Sequence, residues 1–226
     1  MKISSSSSKW FKLCLGLLIM VGLSSQASAQ DPLRFQKEVD QIHEKHPPSV
    51  QRENLILFTG SSSIKMWKDL TQDFPDYEVI NAGFGGSQTF ELLHYVNELI
   101  LDYKPSKVFI YEGDNDISSG KSSTEIILTM HELVNTIHEA LPETEVLLIS
   151  AKPSISRWHL KDEYMDLNQH LEEYSQLFDY VQYVNVWDTM LNDEGSPKAE
   201  IFLEDKLHMN RAGYDLWAEV VKKYMD

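Results

Sequence analysis

The chain has 226 residues in a globular balance of 42% hydrophobic and 24% charged, with 35 acidic against 20 basic side chains and a formal net charge of −15 at pH 7. That negative field repels phosphate backbones and anionic bilayers, which argues against nucleic-acid or membrane-surface binding and favours neutral or cationic partners. Cys14 is the single cysteine, so no internal disulfide is available and the fold must be held by its core.

Residues 1–29 read as an export signal. Lys2, Lys9 and Lys12 flank a serine run, Leu13 to Leu23 is apolar, and Ala27-Ser28-Ala29 precedes Gln30, so cleavage is expected after Ala29. The apolar core falls short of the roughly 20 residues of a membrane span, so no stable membrane anchor is expected. Cys14 lies inside the signal and lacks the small residues that precede a lipid-modified cysteine. Cleavage removes three lysines and no acid, taking the charge from −15 to −18. The product would be exported, periplasmic or extracellular, and residues 30–226 are expected to form one α/β domain. Its oligomeric state is not legible.

In the mature segment, Leu33, Val39 and Ile42 form a helix-like stripe from Pro32 to Lys45, stopped at His46-Pro47-Pro48. Five short runs rich in β-branched and aromatic residues follow: Leu55 to Thr59, Val79 to Asn81, Lys107 to Tyr111, Glu145 to Ser150 and Val181 to Val186. Most are continuous apolar runs without alternation, the pattern of parallel strands covered on both faces. Between them the apolar positions fall at helical spacing, as in Leu92, Leu93, Val96, Leu99 and Ile100, or Ile126, Ile127, Met130, Leu133, Val134 and Ile137. Strand alternating with helix predicts a doubly wound parallel sheet. Asn210 is placed to cap a closing helix from Arg211 to Tyr224, with Tyr214, Trp217, Val220 and Val221 on its inner face.

Ligands of an open parallel sheet bind beyond the carboxyl ends of the strands, and the polar motifs of this chain follow strands. Gly60-Ser61-Ser62-Ser63 comes after the first, Gly83-Phe84-Gly85-Gly86 after the second, and Gly113-Asp114-Asn115-Asp116 after the third. Asp205-Lys206-Leu207-His208 comes after the fifth and a loop. Each has a bland reading: helix-capping serines, a tight glycine turn, a solvated Asx turn, and surface polarity ahead of a helix. Together they suggest nucleophilic acyl transfer. Asp205 and His208, three apart, can lie side by side on a helical turn, with the carboxylate holding the imidazole in the tautomer that serves Ser62 as a base. The backbone amides of Ser62 and Gly86 and the side-chain amide of Asn115 could meet the oxyanion.

These four blocks resemble the SGNH, or GDSL-like, hydrolase superfamily, and they span nearly the whole mature chain. The resemblance implies a three-layer α/β/α sandwich with a five-stranded parallel sheet of flavodoxin-like type. It implies Ser62 as nucleophile, His208 as base, Asp205 as its partner, and Gly86 and Asn115 with Ser62 in the oxyanion hole. It implies no metal or organic cofactor. Ser61 stands where the name-giving motif has aspartate, which leaves the support of the nucleophile loop open. The expected activity is that of a serine esterase on a small-molecule or glycan ester. The lack of a long apolar lid favours a short acyl group such as acetyl.

Other readings remain. Asp114, Asp116, Ser118 and Glu125 fall at positions 1, 3, 5 and 12 of a calcium-loop template, but Ser119 occupies the position of its sharp-turn glycine. A noncatalytic glycan-recognition domain could use the same scaffold. An acyltransferase would use the same residues and a different acceptor. Lys152, Arg157 and Trp158, after the fourth strand, either line the leaving-group side or are ordinary loop residues. They are left out of the site.

Overall fold

The computed structural model describes residues 31–50 and 52–226, so the export signal read over residues 1–29 lies outside the described residues. A 3-10 turn at Pro32–Phe35 leads into α1 (Gln36–Lys45). Then come β1 (Ile56–Gly60), two short helices, α2 (Ser62–Lys65) and α3 (Leu70–Asp73), and β2 (Val79–Gly83). The stretch with helical spacing after β2 is broken at Tyr95 into α4 (Thr89–His94) and α5 (Val96–Leu99). The chain continues through β3 (Lys107–Tyr111), α6 (Asp114–Ser118), α7 (Ser123–Ala140), β4 (Glu145–Ile149), α8 (Lys161–Ser175), β5 (Val181–Val184) and α9 (Arg211–Val221).

The five strands are all parallel in the order β2-β1-β3-β4-β5. The chain leaves β1 in one direction to form β2, then crosses back to the other side of β1 for β3. This reversal makes the carboxyl ends of β1 and β3 the switch point where such sheets hold their ligands.

The continuous apolar runs are explained by the two layers of helices. Leu55, Leu57, Val108, Ile110, Val146 and Leu148 pack with α1, α4, α5, α7 and α8. The alternate side chains Ile56, Phe58, Phe109, Tyr111, Leu147 and Ile149 pack with α2, α3 and α9. Each fully buried Leu, Ile or Phe contributes about 1.5–3 kcal/mol over its exposed state, so both faces of the sheet are worth covering. The second layer is aromatic: Phe58 stacks on Phe109 at 4.5 Å between centroids, and Trp67 meets Tyr214 at 5.4 Å and Trp217 at 5.9 Å. α9 is thereby anchored beneath the loop that precedes it. Asn210 does cap this helix, accepting from the Gly213 amide.

Candidate active site

β1 ends at Gly60 with φ +118°, a conformation that suits glycine, and a Cβ there would lie 2.1 Å from the Tyr111 carbonyl oxygen. The chain can therefore stay in register with β3 to its last residue and then turn at once. Ser61, buried, donates its amide to Tyr111 O at 3.0 Å, and Ser62 begins α2. Asn81 Nδ2 donates to Ile64 O (2.6 Å) and the Tyr214 hydroxyl to Ser63 O (2.9 Å). The loop carrying Ser61 to Ser63 thus has backbone and side-chain support with serine at position 61.

Ser62 Oγ lies 3.0 Å from His208 Nε2, and His208 Nδ1 lies 2.6 Å from Asp205 Oδ2. The expected helical turn for Asp205 and His208 is not what holds them. The segment is a tight turn with Lys206 at φ +57°, closed by Asp205 Oδ1, which accepts from the amides of Leu207 and His208 at 2.9 Å each. An aspartate bonding the backbone two and three residues on favours such a turn over a helix. Partial burial works to raise the pKa of Asp205. The His208 ring and the two amides outweigh it and hold the carboxyl down at about 2. His208 and Asp205 side chains are 24% and 47% exposed, so the three groups sit at an open rim.

After β2, the loop carrying Gly85 and Gly86 is held from two sides. Glu38 Oε2, on α1, accepts from the Gly85 amide and from Lys65 Nζ, both at 2.8 Å, and so links this loop to α2. Arg34 pairs with Glu91 and donates to Gly86 O. Gly86 itself has φ +74°, and nothing lies within 4 Å of where its Cβ would stand, so a ligand has room to approach.

After β3, the side chains of Gly113-Asp114-Asn115-Asp116 diverge. Asn115 Nδ2 donates to Ser87 O at 2.9 Å, and its Oδ1 accepts from Arg157 Nη2 at 3.1 Å. Asp114 is buried and receives the Tyr111 and Tyr164 hydroxyls, Arg157 Nη1, and Lys152 Nζ at 3.4 Å. Burial by itself would raise this carboxyl, but two cations and two hydroxyls hold it well below the usual carboxylate range. Asp116 pairs with Lys121 and accepts from the Thr89 amide, while Glu125 caps α7 through Ser122. The carboxylates of the calcium-loop spacing therefore hold three different groups.

Lys152 is 1% exposed and paired with Asp114, so it cannot meet a leaving group. Trp158 lies against Trp187 at 5.9 Å, nearly parallel to it. Glu112 was not legible as part of the site. It is fully buried beside the glycine loop, its Oε1 accepting from Ser87 Oγ at 2.6 Å. Desolvation and the charge of nearby Asp116 push its carboxyl well above its ordinary value. Nor could the sequence single out Glu38, one polar residue among several on the outer face of α1.

A model of the GDSL-like lipase/acylhydrolase family matches residues 52–216. The chain belongs to this family. It is an ester-bond hydrolase on the SGNH fold. Solved structures with the same fold include a Streptococcus pneumonia protein provisionally identified as a platelet activating factor, 25% identical, covering 86% of this chain and 94% of that one with a TM-score of 0.76. A GDSL-like lipase from Bacteroides thetaiotaomicron is 17% identical over 86% of this chain and 97% of that one, TM-score 0.68. An acetylxylan esterase from Geobacillus stearothermophilus is 14% identical over 78% and 95%, TM-score 0.64. No curated protein matches the sequence. Arg34 and Glu38, which hold the glycine loop of this acylhydrolase, precede the segment matched by the family model. Among its described residues no helix is long and apolar enough to cross a membrane.

Proposed function

We propose that this acylhydrolase is an exported serine esterase that removes a short acyl group, such as acetyl, from a small-molecule or glycan alcohol, with cleavage of its signal after Ala29. The observation that carries the reading is the unbroken hydrogen-bond chain from Asp205 through His208 to Ser62 Oγ, 2.6 and 3.0 Å in its two links. An ionised Asp205 accepts from Nδ1–H and leaves Nε2 unprotonated toward the serine hydroxyl, the arrangement a general base requires.

Ser62 Oγ attacks the ester carbonyl as His208 Nε2 takes its proton. The amides of Ser62 and Gly86 and the second hydrogen of Asn115 Nδ2 receive the oxyanion. The imidazolium returns the proton to the departing alcohol. Water, deprotonated by the same nitrogen, then releases the acid and restores the serine. The open rim, with Asp205 half exposed, suits a bulky hydrated alcohol more than a long buried acyl chain. The acetylxylan esterase among the structural neighbours supports the same substrate class.

A panel of p-nitrophenyl esters from acetate to palmitate, run beside acetylated xylan, tests the reading. Acetate should be favoured, and Ser62→Ala should reduce turnover to near background with the thermal transition retained. Full activity in Ser62→Ala would reject the nucleophile, and comparable turnover of palmitate would reject the short-acyl preference.

A further inference from the structure

We infer that Arg157 is a positioning residue for the oxyanion donor, holding the Asn115 amide in the one orientation that presents N–H to the substrate. The inference rests on the proposed role of Asn115. An asparagine amide turned over by 180° keeps its shape and exchanges a donor for an acceptor, so an asparagine in an oxyanion hole needs something that distinguishes its two ends. Here each end has a selective partner. Arg157 has only donors, and its Nη2 meets Asn115 Oδ1 at 3.1 Å. The Ser87 carbonyl has only acceptor capacity toward Nδ2, 2.9 Å away. A flipped amide would set donor against donor and acceptor against acceptor, and would turn a carbonyl oxygen toward a developing negative charge. In the observed orientation one Nδ2 hydrogen is taken by Ser87 and the second is left for the oxyanion.

The guanidinium is itself fixed. Its Nη1 donates to both the carbonyl and the carboxylate of Asp114, so one planar fork grips the backbone and side chain of one residue and the side chain of the next. The preceding Ser156 amide donates to Lys206 O at 3.1 Å, inside the turn that joins Asp205 to His208. The loop after β4 therefore ties the proposed base and oxyanion donor to one short segment. A lysine at 157 could keep a cation beside Asp114, but with a single nitrogen it could not also occupy the position of Nη2.

The test uses the full chain, p-nitrophenyl acetate, and four proteins: wild type, Arg157→Lys, Asn115→Ala and the double variant, with thermal unfolding of each. Arg157→Lys should lower kcat about 10- to 100-fold, with KM within about threefold of wild type and little loss of Tm. In the Asn115→Ala background the same change should cost less than about threefold, because the group through which Arg157 acts is gone. An equal loss in both backgrounds, or an effect on KM alone, overturns the inference and makes Arg157 a substrate contact or a partner of Asp114 only. Full activity in Asn115→Ala overturns it as well, together with the donor role of Asn115. Ser62→Ala separates that result from failure of the whole catalytic reading.

Discussion

Replacing Asp205 with asparagine should be more damaging than removing its side chain altogether. Asp205 Oδ1 accepts from two backbone amides at 2.9 Å, and Oδ2 faces His208 Nδ1 at 2.6 Å. An asparagine can keep the two amide bonds only by placing its oxygen at the Oδ1 position, which points its NH2 group at Nδ1. Nδ1 must then accept, the ring proton moves to Nε2, and the histidine presents a donor to Ser62 where a base is needed. In Ser-His-Asp triads this tautomer error costs about 10⁴ in kcat. Asp205 is 47% exposed, so water can compete for Nδ1, and the expected loss is about 10³, or about 4 kcal/mol in transition-state stabilisation. Alanine leaves the ring free to take either tautomer with water at Nδ1, so it should retain about tenfold more activity than asparagine. The assay is kcat for p-nitrophenyl acetate near pH 8, with thermal unfolding to confirm that both variants fold. An asparagine variant as active as the alanine variant would refute the claim that the two backbone amides select the orientation of this side chain.

Glu38→Ala removes the one oxygen shared by the Gly85 amide and Lys65 Nζ. Because Glu38 is 31% exposed, the stability loss should be only about 1 kcal/mol, while kcat should fall about tenfold as the glycine loop loses its anchor; unchanged kcat would assign Glu38 to stability alone. Glu112→Gln tests the buried carboxyl. A group whose pKa rises on folding adds stability that is fully present below its unfolded value, ordinarily near 4.5, and is lost as pH climbs toward the raised folded value. The glutamine variant lacks this titration, so its Tm relative to wild type should improve from pH 4 to pH 8. Parallel Tm–pH curves for the two proteins would show that Glu112 titrates alike in both states.

Local pattern was enough for the layers of this molecule. Runs such as Leu55 to Thr59 lack alternation because both faces of the sheet are covered, and this is visible residue by residue. The capping of α9 by Asn210 is likewise a matter of neighbours in the chain. Three of the four polar blocks directly follow a strand, where a parallel sheet opens to solvent, and the fourth stands a long loop beyond the last strand. What the sequence could not determine was which side chains from separate elements meet. The spacing of Asp205 and His208 fits a helical turn equally well, and what decides against it is the aspartate accepting from the amides of Leu207 and His208. For Lys152, Arg157 and Trp158 local sequence leaves a substrate contact and an ordinary loop role equally open, and the tertiary structure pairs them with Asp114, Asn115 and Trp187. Glu38 gives no local signal, since a carboxylate on the outer face of an amphipathic helix is ordinary until the sheet brings a glycine loop against it. Periodicity and turn chemistry act over a few residues and can be read in order. The orientation of an amide or the charge of a buried acid depends on groups dozens of positions away, and only folding makes them neighbours.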